Sequence, residues 1–210
     1  MFPLPIINQT PIIQVNTIIS FLSAQGTLTK VGIDEKPTDY FTASLNALKF
    51  ANGTSSKIQV GTSGVPAAWQ IANNTNFVIE TYVKLPDTGT RILCGNLNNS
   101  GTGSWWVVLN NTFGTACQVA MDGFSTTGSV QRFHLGTSPS TLAINTWHHI
   151  VITRNGSTFQ VVLNGTSLGT LTMSLGFQNH SNPFTVGNST DNAYNFNGSI
   201  DSFNMTMTNI

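Results

Sequence analysis

Asn145-Thr-Trp-His-His-Ile-Val-Ile-Thr-Arg-Asn-Gly-Ser-Thr-Phe-Gln-Val-Val-Leu-Asn-Gly-Thr-Ser-Leu-Gly-Thr-Leu171 is the stretch that sets the architecture of this chain. Three runs rich in β-branched and apolar residues, Trp147–Thr153, Thr158–Leu163 and Ser167–Leu171, are separated by the pairs Asn155-Gly156 and Asn164-Gly165. A type I′ turn needs positive φ at both central residues, which Asn and Gly adopt at least cost, so Asn-Gly between such runs predicts a hairpin. Two in succession predict a three-strand meander.

The same pattern extends in both directions. Upstream, Thr90–Cys94, Ser104–Leu109, Ala116–Met121 and Val130–Leu135 read as four strands, joined by glycine-bearing polar loops. Before them, Asn76-Phe-Val-Ile-Glu-Thr-Tyr-Val-Lys84 alternates apolar and polar residues. Ala47-Leu-Lys-Phe50, an Asn52-Gly53 turn and Ser56-Lys-Ile-Gln-Val60 read as a hairpin. Downstream, Phe184-Thr-Val-Gly187 leads to Phe196-Asn-Gly-Ser-Ile-Asp-Ser-Phe203. Many short strands without helical periodicity predict an all-β protein, a two-sheet antiparallel sandwich.

Several of these segments resemble laminin G-like domains, members of the concanavalin A-like lectin and glucanase jelly rolls. The carriers are Trp147-His148 followed by an apolar strand and Asn-Gly hairpin, the closing Phe196-x-Gly-x-Ile-Asp201, and Phe77-x-Ile-Glu-x-Tyr-Val83. In the last, Tyr82 stands where the family usually has Trp. The resemblance covers residues 43–208 and implies a jelly roll over 43–210, preceded by an extension over 1–42. It also implies a structural calcium, with Asp201 on the matching element. Calcium takes about six to eight oxygen ligands, and with eight Asp and Glu in all, backbone carbonyls would supply most of them. No other cofactor is expected.

Only 8% of residues are charged and the formal net charge is zero, so nothing here forms an electrostatic footprint for nucleic acid or an anionic membrane. Asn, Thr, Ser, Gln and Gly must make the surface instead. The start, Met1-Phe-Pro-Leu-Pro-Ile-Ile, lacks a basic region, and prolines interrupt its apolar run, so a signal peptide is not expected. No apolar run approaches the roughly 20 residues of a membrane-spanning helix. Cys94 and Cys117 fall two strands apart in the expected meander, beyond the about 7 Å Cα limit of a disulfide, and are expected to be buried free thiols.

The extension carries Pro3, Pro5 and Pro11, then an apolar run whose Ile12, Ile13, Val15, Ile18, Ile19, Phe21 and Leu22 demand burial. Either it adds strands covering the sandwich or it is an arm anchored on another subunit or protein; Val31–Pro37 reads as a loop.

Period-2 alternation assigns faces. Phe77, Ile79, Thr81, Val83, Trp105, Val107, Leu109, Cys117, Val119, Met121, Phe133 and Leu135 are expected inward. One outward face then carries Trp106, Gln118, Arg132, His134, Tyr82 and Glu80, aromatic and hydrogen-bonding groups suited to a shallow glycan site. The alternative is that the N-terminal segment or a neighbouring subunit covers that face and Trp106 is simply packed. Trp147, opening the central strand of the meander, is expected in the core. His148 and His149 are adjacent and point to opposite faces, so they cannot chelate one metal. Retaining glycoside hydrolysis needs two carboxyls about 5–5.5 Å apart, and the Glu-x-Asp-x-x-Glu pattern of jelly-roll glucanases is missing, Glu80 having no acidic residue at i±2 or i±4.

These features fit a non-enzymatic virion structural protein, a bacteriophage capsid decoration or tail/fibre component. It would be assembled in the host cytoplasm and exposed extracellularly, with residues 1–42 holding other virion proteins or copies of itself and the sandwich facing host glycans. The alternative is a stand-alone carbohydrate-binding module of a secreted or cell-surface protein.

Overall fold

The computed structural model describes residues 28–31, 33–34, 48–50, 56–97 and 104–209. Two antiparallel seven-stranded sheets face each other, with strands numbered in chain order. The first runs β1 (Leu28–Val31), β4 (Lys57–Val60), β13 (Phe184–Val186), β6 (Arg91–Gly95), β7 (Trp105–Asn111), β8 (Cys117–Phe124), β9 (Val130–Leu135). The second runs β12 (Thr166–Thr172), β11 (Thr158–Leu163), β10 (Trp147–Asn155), β5 (Thr75–Lys84), β14 (Gly198–Asn209), β3 (Leu48–Phe50), β2 (Ile33–Asp34). The expected all-β sandwich and its meander β10-β11-β12 are present, as is the run of neighbours β6 to β9.

Turn chemistry explains the meander, with one shift. Leu163 pairs with Thr166 across Asn164 (φ 51°) and Gly165 (φ 79°), the predicted type I′ pair. Between β10 and β11, Asn155 pairs with Thr158, so the loop is Gly156–Ser157 and only Gly156 has positive φ (59°). Glycine at the first central position gives a type II′ turn instead.

Two local expectations are corrected. Residues 47–60 do not form a hairpin: β3 pairs with β14 and β2, whereas β4 pairs with β1 and β13 in the other sheet. Which sheet receives each strand depends on partners far away in sequence, which the local pattern does not name. The expected loop Val31–Pro37 holds the end of β1 and all of β2, so this part of the extension contributes a strand to each sheet.

The core lies between the sheets and follows the alternation. Phe77, Ile79 and Val83 of β5, Ile150 and Ile152 of β10, and Phe159 and Val161 of β11 meet Trp105, Val107 and Leu109 of β7 and Met121 of β8. Phe133 and Phe159 touch across the sheets at 4.9 Å between centroids. Trp105 satisfies its indole by donating to Trp69 O at 3.2 Å. Arg154 is a charged exception, 3% exposed, with no carboxylate among the described residues at its head. Its guanidinium donates to Gly156 O (2.9 Å), Ala72 O (3.0 Å) and Asn73 O, tying the β10–β11 turn to the segment before β5.

Asp87 clamps the β5–β6 loop. Burial alone would raise its carboxyl, but the Gly89 N–H, the Arg91 guanidinium and the Asn197 amide outweigh burial and hold it below the usual carboxylate range. A group depressed in the folded state stabilises above its unfolded value and loses that contribution as pH falls through the folded one.

Urea denaturation should therefore show Asp87→Asn costing stability at pH 7 but little below the folded titration of Asp87, in acid. Phe159→Ala should cost about 3–5 kcal/mol, the range for emptying a buried Phe. Gly123→Ala should cost about 1–3 kcal/mol by overpacking, because a Cβ there would sit 2.3 Å from Ser104 O and 2.6 Å from the Phe177 ring.

Candidate functional site

The six expected glycan-binding residues do not share a face. Trp106, Arg132 and His134 belong to the first sheet and Tyr82 and Glu80 to the second, and the inward faces of both sheets are spent on the core. Alternation read one strand at a time could not say which strands are neighbours.

The outer face of the first sheet is an apolar layer. Ile92, Leu97, Trp106, Val108, Cys117 and Ala120 cluster there, with Phe113, Phe124 and Tyr194 packed against them. Trp106 is only 7% exposed and contacts Phe124, while Phe113 meets Tyr194 edge-on at 5.1 Å. Residues 188–196 fold over this face, held by Thr190 N donating to Leu97 O (2.8 Å) and Ile92 N to Tyr194 O (3.3 Å). Burial removes Trp106 as a stacking platform; the cover described is residues 188–196 of the same chain, where the N-terminal segment or a neighbouring subunit was the expected alternative.

Two further assignments change here. Asn110 adopts φ 49°, and beside it the end of β8 breaks its alternation. Cys117, expected in the core, joins the outer cluster, while Gln118, expected outside, donates to Thr141 O at 3.3 Å. Cys94 lies in the core and Cys117 on the opposite side of the sheet, both as free thiols. His134 places Nε2 2.9 Å from Asp122 Oδ1 and Nδ1 3.0 Å from Thr115 O. Nδ1 also faces Asn111 Nδ2 at 3.5 Å, so both ring nitrogens of His134 are engaged by protein groups. Burial pushes the Cys117 thiol up to about 11, so the Cys117, His134, Asp122 neighbourhood is structural.

The outer face of the second sheet is different in chemistry. Tyr82 of β5 and His149 of β10 are register partners, and their rings stack at 4.4 Å and 12°. His149 Nε2 donates to Glu80 Oε1 at 2.7 Å, fixing the imidazole flat on the phenol. Partial burial and the negative charges of Glu80 and Asp201 raise the Tyr82 hydroxyl above its usual value, which keeps it a protonated donor. Trp147, expected in the core, is half-buried and shares the outward side of β10 with His149, because Ile150 and Ile152 take the inward positions. It pairs in register with Lys84. The i, i+2 spacing of Trp147 and His149 was the available signal. His148 lies on the opposite side, buried, with Nε2 donating to Ala143 O at 2.9 Å. Farther along the same strands, Asn76, Val78, Thr153, Asn155, Gln160, Thr206 and Thr208 line a shallow trough.

Asp201 is fully buried; Oδ1 accepts from Ser202 at 3.0 Å and Oδ2 has no hydrogen-bond partner. One orphaned oxygen is an opening for a cation, but among the described residues no group of three or more His, Cys, Asp or Glu could hold one. Asp201 offers one carboxylate, so most of calcium's oxygen ligands would have to be backbone carbonyls. The anchoring residues Ile12, Ile13, Val15, Ile18, Ile19, Phe21 and Leu22 lie outside the described residues.

Two measurements check these assignments. A chelator should leave the melting temperature unchanged, and a disulfide thiol reagent at pH 8 should modify Cys94 and Cys117 only after denaturant is added.

A laminin G model, described as the concanavalin A-like lectin/glucanases superfamily, matches residues 52–207. No curated protein matches the chain. Among solved structures, the binding domain of Paraclostridial Mosquitocidal Protein 1 is similar at 18% identity and TM-score 0.60, over 88% of this chain and 45% of that one. The Botulinum neurotoxin serotype D binding domain is similar at 13% identity and TM-score 0.58, over 88% and 43%. The Ruminococcus gnavus IT-sialidase CBM40, solved with alpha2,3 sialyllactose, is similar at 15% identity and TM-score 0.51, over 72% and 90%. The chain thus spans less than half the length of the two toxin binding domains, and at these identities the likeness is one of fold. With three quarters of its length matched by the family model, the chain belongs to the concanavalin A-like lectin/glucanases superfamily.

Proposed function

We propose that this chain is a non-catalytic, lectin-like module that binds glycan on the outer face of the second sheet. The observation that carries the reading is the Tyr82–His149 stack, braced by Glu80 and flanked by Trp147 and Lys84. A sugar ring offers an apolar face for stacking and hydroxyls for hydrogen bonds. This surface supplies both, with amides and hydroxyls continuing along the trough. The CBM40 structure, solved with a sialylated sugar, shares the fold and favours this reading. Catalysis is disfavoured by the carboxylates: Glu80, the glutamate on this face, is engaged by His149, and no acidic residue alternates with it along β5.

The biological setting we propose is a virion, as a bacteriophage capsid decoration or tail/fibre component whose residues 1–42 attach to other virion proteins or to copies of itself. What supports it is the neutral, amide- and hydroxyl-rich composition together with an apolar, proline-bearing leading segment. A stand-alone module of a secreted or cell-surface protein remains the second reading. Copurification with particles favours the first, and a monomer binding polysaccharide without its leading segment favours the second.

On a glycan array, Tyr82→Ala and Trp147→Ala should each weaken binding at least about tenfold, a loss of about 1.4 kcal/mol. Trp106→Ala should lower the melting temperature and leave affinity unchanged. An array on which the unaltered protein retains no glycan sinks the proposal.

A further inference from the structure

Among the described residues, four strands end the two sheets: β1 and β9 the first, β2 and β12 the second. An edge strand presents unpaired N–H and C=O groups that template another strand unless something blocks it. β1 has four residues and β2 two. β12 is interrupted by a register shift against β11 and by Gly169 at φ 123°. β9 has six residues in unbroken register with β8 and contains no Pro, Gly or Lys. Its one permanent charge, Arg132, is folded over the neighbouring turn, where a Cβ on Gly114 would lie 2.9 Å from the guanidinium.

The hairpin between β8 and β9 fixes which backbone groups face out. Ser125 N donates to Ser129 O at 2.7 Å, so bonded pairs recur at Gly123 with Gln131 and Met121 with Phe133. Val130, Arg132 and His134 therefore turn their N–H and C=O groups away from β8. Val130 also leaves its side chain 53% exposed beside them.

We propose that β9 receives residues 12–22 of a second copy of this chain as an added strand. That segment, Ile-Ile-Gln-Val-Asn-Thr-Ile-Ile-Ser-Phe-Leu, has no Pro, Gly or charge. Ile13, Val15, Thr17, Ile19 and Phe21 alternate along it, giving it one largely apolar face. Burying it costs no ion desolvation. The donor has to be another molecule: the six Cα steps from Leu22 to Leu28 reach at most about 20 Å, whereas β1 and a strand added beyond β9 are seven spacings, about 33 Å, apart. Each copy gives at one side of its sandwich and receives at the other, a head-to-tail contact that builds rings or rows.

This inference rests on the attachment role given to the leading segment, and not on glycan recognition. Residue-resolved hydrogen exchange on the full-length chain tests it. The Val130, Arg132 and His134 amides should exchange at least about tenfold more slowly than in the full-length variant Val15→Asp/Ile19→Asp, and light scattering should show that variant as a monomer. Arg132→Pro removes an outward N–H of β9, so it should also yield a monomer, with a melting temperature close to that of Val15→Asp/Ile19→Asp. Equal exchange of those amides in the unaltered chain and the variant overturns the inference, as does a monomeric unaltered chain. Glycan-array binding measured on the same samples keeps the two proposals separable, since it should survive in the monomeric variants.

Discussion

Each of the two sheets has one face that must leave water, and the structure satisfies both by pressing those faces together. The consequence is visible in single strands: β5 and β10 put Phe77, Ile79, Ile150 and Ile152 inward and Tyr82, Glu80, Trp147 and His149 outward. Sheet packing of this kind is the dominant stabilising term. The outer face of the second sheet is thus the complement of its core face, and a one-residue slip in register would bury one and expose the other.

The first sheet departs from that economy. β7 is buried along its whole length and β8 along all but its last residue, because residues 188–196 lay Tyr194 over the outer face beside Phe113 and Phe124. A second apolar layer makes this sheet a scaffold and leaves its neighbour to meet solvent with aromatic and amide groups. Charge is used sparingly in the same spirit. Arg154 is solvated by carbonyl dipoles, Arg91 is paired with Asp87, and His149 is hydrogen-bonded to Glu80. Ion pairs at a surface contribute little to stability, so these serve better as fixtures that orient loops and rings.

Particular residues show how far the candidate site could be read in advance. Tyr82 and Glu80 were legible as outward residues, since period-2 alternation is a local property of one strand. Trp106 was equally legible as outward, yet it is buried, because what covers it comes from roughly 90 residues later in the chain. Trp147 was misread as core because it opens a strand of the meander, although the apolar positions of Ile150 and Ile152 already fixed its parity. Gln118 and Cys117 exchanged sides because Asn110 takes positive φ beside them, a backbone event with no distinct mark in the sequence.

By itself the sequence determined the all-β class, the positions of most strands, the meander with its two tight turns and the superfamily. All of these depend on contacts between near neighbours in the chain: alternation along a strand and the φ tolerance of Asn and Gly. Only the tertiary structure decided that β3 and β4 part into different sheets and that the six expected site residues divide between two faces. It also decided that Tyr82, His149, Glu80 and Trp147 stand together. Those outcomes depend on which distant strands share hydrogen bonds, and a strand's own residues specify its two faces without specifying its neighbours.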